Sequence, residues 1–311
     1  MQFTPPRAKR RWKKLILSLA AIIVILLIGG GVLVWMKVQA AKNNPDTAFK
    51  DALVASLQTK QIEADTTAGS ANTQAQFDFS SMTNPLVSTQ STFAINGKYF
   101  SGTGYGSLQN TYFSYTKLPS SVPSSVAGVT LMAWVQLRAQ GRLPVGVNPA
   151  LVNASDPRYQ DYGPVIFGNY PLKTSTQLAD FLITNHAYRY QTGQVTHTQL
   201  ANTKVFAYPV KLDVGFIKIA AESAALTSKL TPADLQNALD AYEALRGASG
   251  TIYVDRATHH IQEITLQKNG QTTTVVYSHY NNVSLPGEPQ TKLTWQYFAP
   301  LEAQIEAGKK K

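Results

Sequence analysis

Ser114-Tyr115-Thr116-Lys117 carries a serine and a lysine at the spacing used to activate an acyl-transfer nucleophile. That chemistry needs the serine at a helix N-terminus and two partner motifs, Ser-Asp-Asn and Lys-Thr-Gly, and the chain contains neither. The tetrad sits instead in an aromatic stretch, Tyr112–Leu118, that reads as a strand. Gly102-Thr103-Gly104-Tyr105-Gly106 is glycine-rich, but no helix start is expected after it to receive a phosphate, so a strand end with a bulge is predicted. Gly-x-Ser-x-Gly and His-Glu-x-x-His are absent, and Asp156 and Asp161 share a loop that could hold carboxylates as any loop could, but spacing alone does not make a glycosidase. The sequence predicts no catalytic residue and no enzyme.

The histidines are the next candidates. Asn269-Gly270 is a strong two-residue hairpin signal, and the register it sets places His260 opposite His279, with adjacent His259 on the other face. A tetrahedral metal site needs three or four ligands, and no carboxylate falls on the right face nearby. Two hairpin-end histidines without a metal are expected, and no cofactor. The same register gathers Gln262, Ile264, Leu266, Val275 and Tyr277 on one face and Glu263, Thr265, Gln267, Thr272 and Thr274 on the other. Apart from its ends, the first face is apolar. It is either ordinary core under helices or the lining of a cavity, and alternation alone favours core.

The elements that would position these residues form an α+β pattern. Asp46–Gln58 reads as a helix with Pro45 in its first turn and Ala48, Phe49, Ala52, Leu53 and Leu57 as its stripe. Strands follow to Leu118, among them Val87–Ile95 and Lys98–Gly102 around Asn96-Gly97, which sets Phe93 against Phe100. Residues 119–171 are rich in Pro, Gly and Ser, and Leu131–Ala139 fits helix and strand equally. Thr174-Ser175-Thr176-Gln177 looks like a capping box for a helix facing inward with Leu178, Phe181 and Leu182. Val214–Ser228 and the segment from Thr231 to Gly247, with Leu239 on its stripe, read as further helices. Lys204–Leu212 is a strand whose Pro209 implies an edge or bulge. Thr251–Asp255, His260–Lys268, Gln271–Tyr280 and Lys292–Phe298 complete a terminal meander. No internal repeat is visible.

At the N-terminus, Leu15–Met36 runs 22 residues without a charge, about 33 Å as a helix and enough to span the hydrocarbon core. Arg7, Lys9, Arg10, Arg11, Lys13 and Lys14 precede it, which predicts a cytoplasmic N-terminus and an exported remainder. Val38-Gln39-Ala40 offers a signal-peptidase site, but the apolar run is longer than a signal peptide's, so an uncleaved anchor is expected. The net charge of +10 resides at the two ends, in this tail and in Lys309–Lys311. A nucleic-acid partner is therefore not expected, since it needs cations gathered on one folded face. The absence of cysteine excludes disulfides, thiolate metal sites and a lipidated cysteine. Two glycosylation sequons, at Asn153 and Asn282, occur as short matches do by chance. The expected organisation is a basic tail (1–14), a transmembrane helix (15–36), a linker (37–44), an extracytoplasmic domain (45–300) and a short charged tail (301–311).

The order of elements carries a resemblance. Val205-Phe206-Ala207-Tyr208-Pro209-Val210-Lys211-Leu212-Asp213 leads into helices, followed by Gly250-Thr251-Ile252-Tyr253-Val254-Asp255, Ile261-Gln262-Glu263-Ile264 and, after an Asn-Gly turn, Val276-Tyr277-Ser278-His279-Tyr280-Asn281. This resembles the second half of the LppX/LprG-type lipoproteins, relatives of the LolA lipoprotein carrier. The resemblance covers 205–285, and the first half by element order alone. It implies a curved antiparallel sheet, a half-barrel, with helices over its concave face and acyl chains of lipid or lipoprotein held between. The ligand-binding residues expected on that basis are Phe77, Phe93, Tyr208, Ile264 and Tyr277 from the sheet and Phe181 and Leu239 from the helices. The chain departs from those lipoproteins in its transmembrane anchor, which if uncleaved excludes a soluble shuttle, and in residues 119–171, which have no counterpart there; tethered binding is left intact.

Overall fold

The computed structural model describes residues 43–307 apart from Asn96, Ala154, 156–162 and 228–231. The chain divides into two units, Met1–Ala48 and Phe49–Lys311. In the first, the side-chain oxygen of Asn44 accepts the N–H groups of Asp46 and Thr47 at 2.9 and 3.3 Å, the bonding of an N-cap. Helix α1 (Pro45–Leu57) starts there, with Pro45 in its first turn as expected. The expected transmembrane helix, 15–36, and its basic tail lie outside the described residues. No helix among the described residues is long and apolar enough to cross a membrane.

The second unit is mixed α+β, built on one large, open, curved sheet. Its first half is a meander: β1 (Gln61–Ala68), β2 (Ala71–Asp78), β3 (Leu86–Ile95), β4 (Lys98–Gly106) and β5 (Thr111–Lys117). Residues 119–171, unreadable by period, contain α2 (Ser124–Thr130), β6 (Val135–Arg138) and α3 (Pro149–Asn153). Then come α4 (Leu172–Thr184), β7 (Tyr188–Arg189), β8 (Thr196–Leu200), β9 (Thr203–Leu212), α5 (Val214–Thr227) and α6 (Pro232–Ala244). The chain finishes with β10 (Ser249–Asp255), β11 (Ile261–Lys268), β12 (Gln271–Ser278), β13 (Leu293–Thr294) and α7 (Trp295–Ala307). In space the strands run β13-β6-β5-β4-β3-β2-β1-β12-β11-β10-β9-β7, with β8 also on β9. All neighbours are antiparallel except β13 and β6. Pairing of β1 with β12, Glu63 opposite Ser278, joins the two halves of the chain into one sheet.

Turn chemistry fixes the register where the sequence said it would. Asn269 and Gly270 both have positive φ, 51° and 77°, as a two-residue hairpin turn requires. Ile264 accordingly pairs with Val275 and Leu266 with Thr273. Ile95 pairs with Lys98 around the other Asn-Gly, and Phe93 faces Phe100 with ring centroids 6.1 Å apart. Pro209 pairs with Thr251 of β10, and on its other side it falls between the short partners β7 and β8. A missing N–H therefore leaves no ladder bond unmade there. β4 is bulged at Ser101/Gly102, and a Cβ on Gly102 would lie 2.2 Å from the Phe113 ring, so that ring lies across the glycine backbone.

Two expectations are corrected. Lys292–Phe298 is not a strand: only Leu293–Thr294 pairs, and α7 begins at Trp295 and runs through what was expected to be a charged tail. Trp295, Phe298, Glu302 and Ile305 are its buried residues, a helical stripe that the alternation of Leu293, Trp295 and Tyr297 imitates at its start. The Thr174 capping box is not formed either. Helix α4 starts after Pro171, one turn earlier, without a side-chain cap, and Ser175 donates its hydroxyl back to the carbonyls of Tyr170 and Pro171.

Candidate functional site

The registers assign the expected sheet residues to one face. Tyr208 pairs with Ile252, Ile252 with Ile264, and Ile264 with Val275. Tyr277, two residues on from Val275, shares its face and pairs with Ala64 of β1. Ala64 pairs with Ala75, and Ile62 with Phe77, which in turn faces Val87. Phe93 lies an even number of residues from Val87 on β3. One face thus carries Tyr208, Ile264, Tyr277, Phe77 and Phe93 across nearly the whole sheet. Four of them are buried, and Phe93 is partly so.

Three different covers meet that face. Over β9 lies the part of α1 from Phe49 on, and the Phe49 ring stands 4.8 Å from Tyr208. At the opposite end, Phe93, Phe100, Phe113 and Tyr115 belong to a cluster closed by Trp295, Phe298 and Ile305 of α7. Between them, over Ile264 and Tyr277, the cover is a segment with no regular structure, 163–170. Val165, Ile166 and Phe167 are buried, and the Phe167 ring is 5.2 Å from that of Tyr277. Gly163 sits in the left-handed region at φ 77°, so near the sheet that a Cβ would lie 2.8 Å from the Tyr277 hydroxyl and 3.8 Å from Ile264. Tyr188 donates its hydroxyl to the Pro164 carbonyl at 2.7 Å, and the Tyr170 N–H reaches the Leu57 carbonyl at 3.0 Å. These bonds pin both ends of the strap.

The helical pair behaves differently. Phe181 is half-buried and meets Phe216 of α5 edge-on at 6.1 Å, a contact between helices. Leu239 is buried on α6, which packs on α5. The seven residues therefore fall under separate covers. Three hollows of the described surface, of about 550, 630 and 470 Å³, are lined by none of the seven.

The histidines do not converge. The β11–β12 ladder ends at Glu263 and Val276, short of the expected His260–His279 pair, and His259 and His279 have positive φ that turns the chain away. His259 Nδ1 is 2.9 Å from Asp51, His260 stacks on Tyr280 at 4.2 Å, and His279 Nδ1 is 3.3 Å from Glu63. Burial holds the His260 imidazole below the usual histidine range. No group of three or more His, Cys, Asp or Glu among the described residues is placed to hold a metal ion. Ser114 and Lys117 lie in β5, not at a helix start, and Asp156 and Asp161 fall outside the described residues.

One polar group inside the apolar end escaped the sequence reading. Glu302 of α7 is 4% exposed, with both carboxyl oxygens 2.9 Å from the Tyr115 hydroxyl and one 3.3 Å from Asn148 Nδ2. Burial, with Glu306 adding to it, pushes its pKa up to about 7 against the opposing hydrogen bonds. Its signal was its place in the stripe, i+7 from Trp295 and i+4 from Phe298.

No family model matches the chain, and no curated protein matches it in sequence. Among solved structures it is similar to LprF from Mycobacterium bovis, at 8% identity over 81% of this chain and 96% of that one, with a TM-score of 0.42. A second is the lipoprotein LppX of Mycobacterium tuberculosis, at 9% identity over 76% and 95%, with a TM-score of 0.38. The MucA/MucB complex of Pseudomonas aeruginosa follows at 10% identity, 78% and 59% coverage and a TM-score of 0.29. LppX is also the lipoprotein type that the second half of the sequence resembles.

Proposed function

We propose that the second unit is a non-catalytic binding domain for a lipid or other apolar ligand, tethered outside the membrane by residues 15–36. On this reading the sheet is a half-barrel, and the ligand lies between its concave face and the covering elements. One observation carries the reading: an apolar face continuous from Tyr208 to Phe93 is closed at its centre by the irregular strap 163–170. A strap without internal main-chain ladders opens at lower free energy than a packed helix or strand, and Ile264, Val275 and Tyr277 lie beneath it. Sites of this kind are mostly apolar and hold about 300–1,000 Å³ once open.

A specific observation favours a second reading, a structural or interaction protein of the envelope with a filled half-barrel. Phe167 and Gly163 already occupy the space over Tyr277. The two readings separate in one experiment. The full chain, extracted in detergent, is examined by native mass spectrometry for a co-purifying lipid and titrated with a fluorescent fatty acid. The binding reading expects saturable uptake that Ile264→Trp weakens more than it lowers the melting temperature. No bound lipid and no saturable uptake would leave the filled half-barrel standing.

A further inference from the structure

The opposite face of the same sheet holds a second feature, and it is polar. Asp65, Gln74, Gln90, Thr103 and Ser114 are successive register partners across β1 to β5. Beside this row runs another, in which Asn72, Thr92 and Ser101 face one another in turn. The short side chains leave a trough of about 630 Å³ whose lining contains no Lys or Arg and no aromatic ring. Five strands at the usual spacing make it about 19 Å wide. A face that served only solubility would carry exposed charges of both signs; this one carries amides and hydroxyls.

Its single lining carboxylate is the telling group. Glu63, two residues before Asp65 on the same face, is satisfied by Gln74 Nε2 at 3.1 Å, Gln76 Nε2 at 2.6 Å and the Ser278 hydroxyl at 3.3 Å. Asp65 Oδ1 is buried and accepts no hydrogen bond from the protein. Burial, and then the Glu63 charge, push the Asp65 pKa above the usual carboxylate range. Buried polar groups are nearly always bonded, so a carboxylate on the lining of a trough with one oxygen unbonded is a group that a donor from outside would satisfy.

The chemistry of the lining selects the donor. An anion would meet the Asp65 carboxylate, with Glu63 beside it, and no Lys or Arg in the lining. An apolar ligand would strand the amides and hydroxyls. A peptide adding as a strand has no free edge here, because β1 to β5 are each paired on both sides. A ligand rich in hydroxyls satisfies every requirement, since each O–H both donates and accepts. We infer that the trough formed by β1–β5 is a binding site for a neutral, polyhydroxylated chain, a glycan, with a sugar hydroxyl donating to Asp65. This site is on the far side of the sheet from the apolar face and does not depend on the proposed lipid site.

The test uses the full chain in a zwitterionic detergent, which brings no competing sugar headgroup. Saturation-transfer NMR is run with cellotetraose, chitotetraose and maltotetraose as probes. At least one is expected to bind saturably, with Asp65→Asn raising Kd about tenfold or more, as loss of a hydrogen bond to a charged acceptor does. Asp65→Asn removes no protein hydrogen bond to Oδ1 and relieves repulsion from Glu63, so its melting temperature should be no lower than that of the unmodified chain. Thr103→Trp, which fills the trough, should abolish the signal. No transfer to any of the three sugars overturns the proposal, and so does transfer that survives both substitutions. Saturable calcium binding that Asp65→Asn removes, without sugar binding, overturns it equally and makes the trough a cation site.

Discussion

Replacing Glu302 by Gln should change how the stability of this protein depends on pH, and the size of the change follows from where the carboxyl sits. Its pKa rises from 4.5 to about 7 because α7 carries it into the apolar cluster of Phe298, Ile305 and Tyr115. In the unfolded chain the group ionises near its ordinary value. Between those two values the folded state holds a proton that the unfolded state has released, so stability falls as pH rises and the loss is complete above about 7. At about 1.4 kcal/mol per pH unit the loss is roughly 3 kcal/mol. Glutamine cannot ionise. Its carbonyl still accepts the Tyr115 hydroxyl, so at pH 5 the variant should lie within about 1 kcal/mol of the parent. At pH 8 it should be more stable by about 2 kcal/mol, the ionisation cost less an imperfect amide fit. Denaturant unfolding at pH 5 and pH 8, followed by the fluorescence of buried Trp295, reads the difference. Taking variant minus parent also cancels His260, whose lowered pKa gives stability of the opposite slope, rising with pH towards the ordinary histidine value. Equal pH slopes for the two proteins would mean that Glu302 is solvated and α7 does not close this end of the sheet.

Two further outcomes are expected. Ile264 is fully buried and Thr272, on the other face of the same hairpin, is exposed, so Ile264→Asp should cost about 4 kcal/mol or more and Thr272→Asp no more than about 0.5 kcal/mol; similar losses in a urea titration would show a slipped register. Protease added to intact spheroplasts should digest residues beyond the apolar run 15–36 and leave a small membrane-held fragment, whereas full protection would refute the orientation and release of a domain starting near Ala41 would show cleavage.

Local chemistry that acts through the backbone was legible in the sequence. Asn269-Gly270 demands positive φ at two consecutive positions, and so the hairpin, its register and the face shared by Ile264 and Tyr277 followed without any tertiary knowledge. Pro209 announced a place with no ladder donor, and the gap between β7 and β8 supplies it. The end of the chain misled because two periods overlap there. Leu293, Trp295 and Tyr297 alternate like a strand, while Trp295, Phe298 and Ile305 repeat like a helix, and an acid stands in that helical stripe at 302. Only the Tyr115 hydroxyl and Asn148, supplied from elsewhere in the fold, make a carboxyl tolerable at that position.

The cover over Ile264 and Tyr277 was illegible for a different reason. Gly163, Val165, Ile166 and Phe167 follow no period, because the segment buries its side chains by lying across a sheet and not by forming one face of an element. Its hydrogen bonds go outward, to Tyr188 and Leu57, and such partners cannot be read from the segment itself. The same logic distinguishes the two faces of the sheet. On the inner one, every strand residue singled out by aromatic character finds a protein partner, so affinity for a ligand depends on whether that partner moves. On the outer one, the row from Asp65 to Thr103 drew no attention because alternating polar residues are what a solvated face requires. The difference appears only when Glu63 is seen with its acceptors filled and Asp65, two residues away, with one buried oxygen unbonded.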